Sequence, residues 1–322
     1  MGVIDDAPPS YAMAVDAPPV GAPVCEAQVV SVVGVGDVIV RAEVSLDERV
    51  YRMQMALDVS AEVVKDMLSV VGCSVVVVAD DSGSMGNLVS GTKSRWDELQ
   101  ETLRQLATLL LVVEHRDGFA LQFLNDPFCS RVEGREIGRR VIIERLYAGR
   151  GRRARQSGGF VPRSTRNWHT VHTVADVDEI FRGRGPRGLT PLRARLEPIL
   201  SGNWHPRGPG AEAEVLLLLL TDGEPSDCSF EELRATVKAK IKTVYLTVVM
   251  CTEEDLIVDK YNRFMDKLPG VDITDDYASE KKEVERRRKK LTHNAWLAKA
   301  VLGGKITKYD QLDDPAKCCT VL

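Results

Sequence analysis

Two apolar runs, Cys73–Ala79 and Val215–Leu220, contain almost no polar residue and predict strands buried on both faces, as in a parallel sheet. Elsewhere the period changes to that of helices. Ser94 stands ahead of Trp96, Leu99, Leu103, Leu106 and Leu110, which recur at spacings of three and four, with Asp97 and Glu98 at the positive end of the helix dipole. Ala61–Val70 reads as a short helix leading into the first strand, Phe119–Leu124 as a second strand and Ala175–Arg182 as a further helix. Ser229 with Glu232 makes a capping box that opens a helix running to about Ile241. Thr243–Met250 reads as a strand, Glu253–Leu268 as a helix and Val271–Thr274 as a short last strand. This alternation predicts an α/β fold, a doubly wound, mostly parallel Rossmann-like sheet with helices on both faces.

The pattern changes outside the span 70–275. Residues 1–25 are rich in Pro, Ala and Asp and read as a disordered arm, in which Pro8-Pro9-Ser10-Tyr11 matches the motif that a WW-domain protein binds. Residues 26–58 alternate Val-rich and polar positions, including Val38-Ile39-Val40 and Val50-Tyr51, and predict a small N-terminal β addition of two or three antiparallel strands. No helix follows Gly34 and Gly36, so a dinucleotide-binding turn is excluded there. Within the main span, 135–170 is an arginine-rich insertion. Its Arg150, Arg152, Arg153 and Arg155 are a candidate anion-binding loop for phospholipid head groups or an acidic partner. Residues 279–309 form a C-terminal helical extension, in which Glu280–Lys290 mixes acids and bases as a solvated helical face does, and 310–322 is a flexible tail.

Composition narrows the class. Apolar residues make up 44% of the 322, enough for a buried core, and the net charge of −4 gives no global attraction to nucleic acid. The seven cysteines have neither disulfide-framework nor zinc spacing, which fits reduced thiols in a cytoplasmic protein. Neither a membrane-spanning run nor a secretory leader is read in the sequence.

The candidate chemistry lies where strands end. Asp80-Asp81-Ser82-Gly83-Ser84 follows the first apolar run, Thr221-Asp222-Gly223 follows the second, and Thr190-Pro191-Leu192 precedes a helix. An open α/β sheet brings such segments to its carboxyl edge, giving an all-oxygen donor set suited to a hard divalent cation. In this order the three segments resemble the metal-ion-dependent adhesion site of the von Willebrand factor A (VWA) family. Further segments, Arg95–Trp96 and Phe123-Leu124-Asn125 among them, resemble stand-alone intracellular A-domain proteins of fungi and protists. The resemblance implies Asp80, Ser82, Ser84, Thr190 and Asp222 around Mg2+ (or Mn2+ or Ca2+), with an exchangeable water that an acidic side chain of a protein partner replaces. Leu189 stands where many members have Gly, and Asp81, Glu224 and Asp227 add negative charge nearby.

These residues predict a metal-dependent protein-binding module rather than an enzyme. A metal-dependent hydrolase is the alternative. Against it, Ser82 replaces the second Asp of an Asp-x-Asp nucleophile motif, and no histidine lies in the three loops; His169, His172 and His205 are the remaining candidates for a base. A nucleic-acid binder working through the arginines is a third reading. The last four residues, Cys319-Thr320-Val321-Leu322, match a geranylgeranylation box, with Cys318 as a palmitoylation candidate. One lipid chain gives only marginal attachment, so the arginine loop would supply a second contact at an anionic membrane surface.

Overall fold

The structure, a computed structural model, describes residues 45–113, 115, 117–126, 168–208, 211–286 and 290–310. Two helices, α1 (Leu46–Leu57) and α2 (Ala61–Ser69), lead into strand β1 (Ser74–Ala79). A 3-10 turn at Gly83–Gly86 and a hairpin of β2 (Leu88–Ser90) and β3 (Lys93–Ser94) run directly into the long helix α3 (Arg95–Val112). Then come β4 (Phe119–Phe123), β5 (His169–Val171), α4 (Val174–Phe181), α5 (Leu192–Leu200), β6 (Val215–Thr221) and α6 (Phe230–Lys238). The described chain closes with β7 (Val244–Met250), α7 (Asp255–Met265), β8 (Val271–Thr274), α8 (Tyr277–Arg286), α9 (His293–Leu302) and α10 (Thr307–Asp310).

Six strands form one sheet in the order β5-β4-β1-β6-β7-β8, parallel except for β5. Every residue of β1 and β6 is buried, which is why both sequences are unbroken apolar runs. Alternate residues serve opposite faces. Val75, Val77 and Ala79 join a core with α1, α2, α3 and α9, while Val76 and Val78 join one with α5, α6 and α7. The fold is therefore α/β and Rossmann-like, with helices on both faces of the sheet. From β1 the chain moves to β4 on one side and later returns to β6 on the other, so the strand order reverses between β1 and β6. The crevice beyond the carboxyl ends of those two strands is where open α/β sheets bind ligands.

Three features differ from the sequence pattern. Leu46–Leu57 is a helix, where 26–58 predicts strands. Ser45 accepts the Glu48 amide at 3.2 Å, Asp47 and Glu48 occupy the first turn, and Val50, Met53 and Leu57 bury one face. The end of the arginine-rich span supplies the antiparallel edge strand β5, and Trp168 stacks on Trp204 at 3.8 Å. Finally, α8 is no wholly solvated face. Glu280 and Val284 are buried, and Glu280 accepts the Lys299 ammonium from α9 at 2.6 Å. The Pro-rich arm with Pro8–Tyr11, residues 26–44, the four candidate arginines, and Cys318 and Cys319 lie outside the described residues. Among the described residues no helix is long and apolar enough to cross a membrane.

Candidate metal centre

Ala79 pairs with Leu220, so the residues that follow the two central strands emerge side by side at the reversal point. Asp80 is fully buried there. Its Oδ1 accepts the Ser82 amide at 2.8 Å and its Oδ2 accepts the Thr221 hydroxyl at 2.6 Å. The Ser82 and Ser84 hydroxyls lie 3.0 Å apart, and Ser84 donates to Asp222 Oδ1 at 2.8 Å. Thr190 reaches the same place from the loop before α5. A side chain built at Gly223 would meet its hydroxyl at 3.5 Å, so Thr190 lies beside the Asp222 loop and not in the core. The loops are cross-tied, with Ser226 N–H donating to Thr190 O at 2.9 Å and Thr190 N–H to the Ser226 hydroxyl at 3.0 Å.

All five residues read from the sequence therefore stand at one sheet edge. Oxygens about 2.1 Å from a small divalent cation and at right angles to one another are about 3.0 Å apart. The spacings from Ser82 to Ser84 and from Ser84 to Asp222 are ones that such an ion accepts. The donor set, two carboxylates and three hydroxyls, is hard and oxygen-only. Among the described residues no group of three or more His, Cys, Asp or Glu side chains gathers as a metal-holding cluster, so any ion here would lean on hydroxyls. Burial pushes the Asp80 carboxyl up to about 6, against the hydrogen bonds of Thr221 and Ser82, and the neighbouring Asp222 adds to the rise.

Three residues to which the sequence pattern assigns no role at the site hold this geometry. Asn125, just beyond β4, donates from its backbone and its amide to Asp81 Oδ1 at 2.8 and 2.9 Å, and from the same amide to Leu189 O at 2.8 Å. It thus clamps the first loop to the second. Gly188 has φ +88°, and a Cβ there would stand 2.5 Å from the Asn125 amide oxygen. The obligatory glycine is thus two residues before Thr190, which leaves Leu189 free to point outward, 70% exposed. Arg95, the first residue of α3, donates to Asp222 Oδ2 at 2.8 Å.

The additional acids have other partners. Asp81 faces Asn125, Glu224 pairs with Lys260, and Asp227 accepts the Arg193 and Ala194 amides at the start of α5. The candidate bases do not converge on the site. His172 sits beside Gly118 ahead of β4, and His205 contacts Ala213 O ahead of β6, both at the amino edge of the sheet. His169, on β5, contacts Arg184 at 3.1 Å. No model of a known protein family matches this chain, and no curated protein matches it.

Proposed function

We propose that this chain is a metal-dependent protein-binding module of the VWA type. A divalent cation, Mg2+ first among them, would be held by Ser82, Ser84 and Thr190 with Asp80 and Asp222, directly or through water. When bound, the cation supplies an electrophilic position that an acidic group of a partner occupies. The chain's own residues do the rest. Thr221 and the Ser82 amide fix the Asp80 carboxylate, Ser84 orients Asp222, and Asn125 keeps the first two loops in register. The observation that carries this reading is the meeting of two buried carboxylates with three hydroxyls at the reversal point of the sheet.

Binding is favoured over hydrolysis because two candidate histidines lie at the opposite edge and a bridging cation needs no catalytic base. Tethering to a membrane through Cys319 belongs to the same proposal on sequence grounds. Consistent with it, Tyr309 is buried and donates to Asp66 at 2.6 Å, so the body of the protein is anchored just ahead of the tail. The test is affinity capture from a native lysate by the wild-type chain and by Asp80→Ala, each with Mg2+ and with chelator. A partner retained only by the wild-type chain with Mg2+ is expected. A partner that survives both the substitution and the chelator would overturn the metal-dependent mechanism.

A further inference from the structure

Resting on that reading, we infer that Arg95 is a specificity-determining residue. It weakens the site's grip on the cation and leaves the loaded site positive enough to capture a carboxylate.

Helix energetics do not explain an arginine in this place. It begins α3, where the dipole favours acids, and Asp97 and Glu98 already occupy that turn. A cation there works against the helix by about 0.3–1 kcal/mol. The position is nonetheless rigidly built. Ser94 and Asp97 form a full capping box, the Arg95 amide donates to Asn87 O at 3.0 Å, and Trp96 packs on Phe181 with ring centres 4.6 Å apart.

The side chain spans three acceptors. Nη1 donates to Asp222 Oδ2 at 2.8 Å, and Nη2 to Thr252 Oγ1 and Glu254 Oε1, each at 2.9 Å. Its side chain is 12% exposed and that of Asp222 is fully buried, so the pair is little screened by water. Glu254 is more than half exposed and offsets the guanidinium less. Asp222 is thereby divided, with Oδ1 accepting from Ser84 and Oδ2 from Arg95, so that Oδ1 would be the oxygen left to serve an ion.

Two carboxylates and a divalent ion cancel, and such a site has little reason to prefer an anionic ligand. Adding Arg95 moves the balance by one positive charge. That charge repels the ion and attracts the acidic group that would take the ion's open position. Arg95 therefore exchanges cation affinity for ligand affinity, acting through charge close to the ion and through its bond to Asp222.

The test uses Mn2+ as the probe ion and free glutamate as the probe ligand. Binding is followed by water-proton relaxation, which rises when Mn2+ binds protein and falls when a carboxylate displaces its water. In Arg95→Met, Ser84 still holds Asp222. Mn2+ should bind about tenfold tighter and glutamate about tenfold more weakly to the loaded chain. Glu254→Gln, a half-exposed change that leaves the fold intact, should shift both in the opposite direction by about threefold. Arg95→Lys, which keeps the charge, should stay within about threefold of wild type in both. A merely structural arginine would not give shifts of opposite sign in the two variants. Unchanged affinities, or shifts of the same sign in Arg95→Met and Glu254→Gln, would overturn the inference. If Arg95→Met fails to fold, Glu254→Gln decides alone. A wild-type chain that binds no Mn2+ would instead overturn the metal reading and this inference with it.

Discussion

Glu280 and Asp80 are both buried carboxylates, and the fold treats them oppositely. Glu280 meets the ammonium of Lys299, itself 1% exposed, at 2.6 Å, so α8 and α9 close around a buried ion pair. Asp80 meets one amide and one hydroxyl, with no cationic group in ion-pair reach among the described residues, and a second carboxylate stands nearby. Burying an unpartnered charge costs several kcal/mol, and chains normally supply the partner themselves. Between α8 and α9 the chain placed a lysine against its buried carboxylate. Around Asp80 and Asp222 it placed hydroxyls, with Arg95 shared between Asp222 and Glu254. The difference is between a carboxylate held by a lysine and one held by an amide and a hydroxyl.

The largest effect that would break this comparison is at the closed pair. Lys299→Met removes the buried ammonium that Glu280 meets at 2.6 Å and should cost about 3–5 kcal/mol in urea unfolding. A Lys299→Met chain as stable as wild type would remove the contrast. Next in size is Gly188→Ala, which forces a Cβ into the left-handed region and against Asn125. It should cost about 2 kcal/mol in the same assay and weaken Mn2+ binding by separating the first loop from the second.

Asp80→Asn sharpens the comparison from the other side. The amide can still accept from the Ser82 N–H and donate to Thr221, while the unpartnered charge disappears. In chelator this variant should be more stable than wild type by about 1 kcal/mol, and Mg2+ should no longer stabilise it. Destabilisation in chelator would show that Asp80 is already compensated.

The smallest effect is a pH dependence whose two contributions have opposite signs. His293, on α9 between Tyr277 and Trp296, is pushed by burial down to about 4. A neutral histidine with a depressed pKa contributes stability that is complete above about 6.5 and is lost as pH falls through about 4. Asp80, raised to about 6, behaves in the reverse sense in chelator: its contribution is complete below the unfolded value near 3.8 and is lost as pH rises through about 6. Between pH 7 and 5.5, His293→Phe should remove an acid-side loss of no more than about 1 kcal/mol, since the ring is partly solvated. Asp80→Asn should remove the opposing gain. Identical pH profiles in the two variants would contradict the assignment of one contribution to each region.

The sequence made the sheet readable because strands buried on both faces leave no polar positions, and β1 and β6 show that in Val75–Ala79 and Val215–Leu220. The helix starts at Ser94 and Ser229 were readable because a capping box is complete within four residues. Helix α1 carries the same kind of signal, a Ser three residues ahead of Glu48, but the adjacent Val50 and Tyr51 suggested alternation. The gathering of the five oxygen-bearing candidates at one sheet edge was readable because each sits close to a strand end or a helix start. Their supports were not. Arg95 and Asp222 are 127 residues apart, and Asn125 and Asp81 are 44 apart, so only the fold brings them together. The need for glycine at 188 depends on a side chain from another strand end, which no local pattern contains.

The central proposal is that Asp80, Ser82, Ser84, Thr190 and Asp222 hold a divalent cation. It is tested most directly by crystals of the full chain grown with Mn2+, measured for anomalous scattering. The account predicts a single strong peak among the oxygens of Asp80, Ser82, Ser84, Thr190 and Asp222, absent from crystals of Asp222→Ala. A structure with saturating Mn2+ that shows no ion among these five residues, or the same peak in Asp222→Ala, would contradict it.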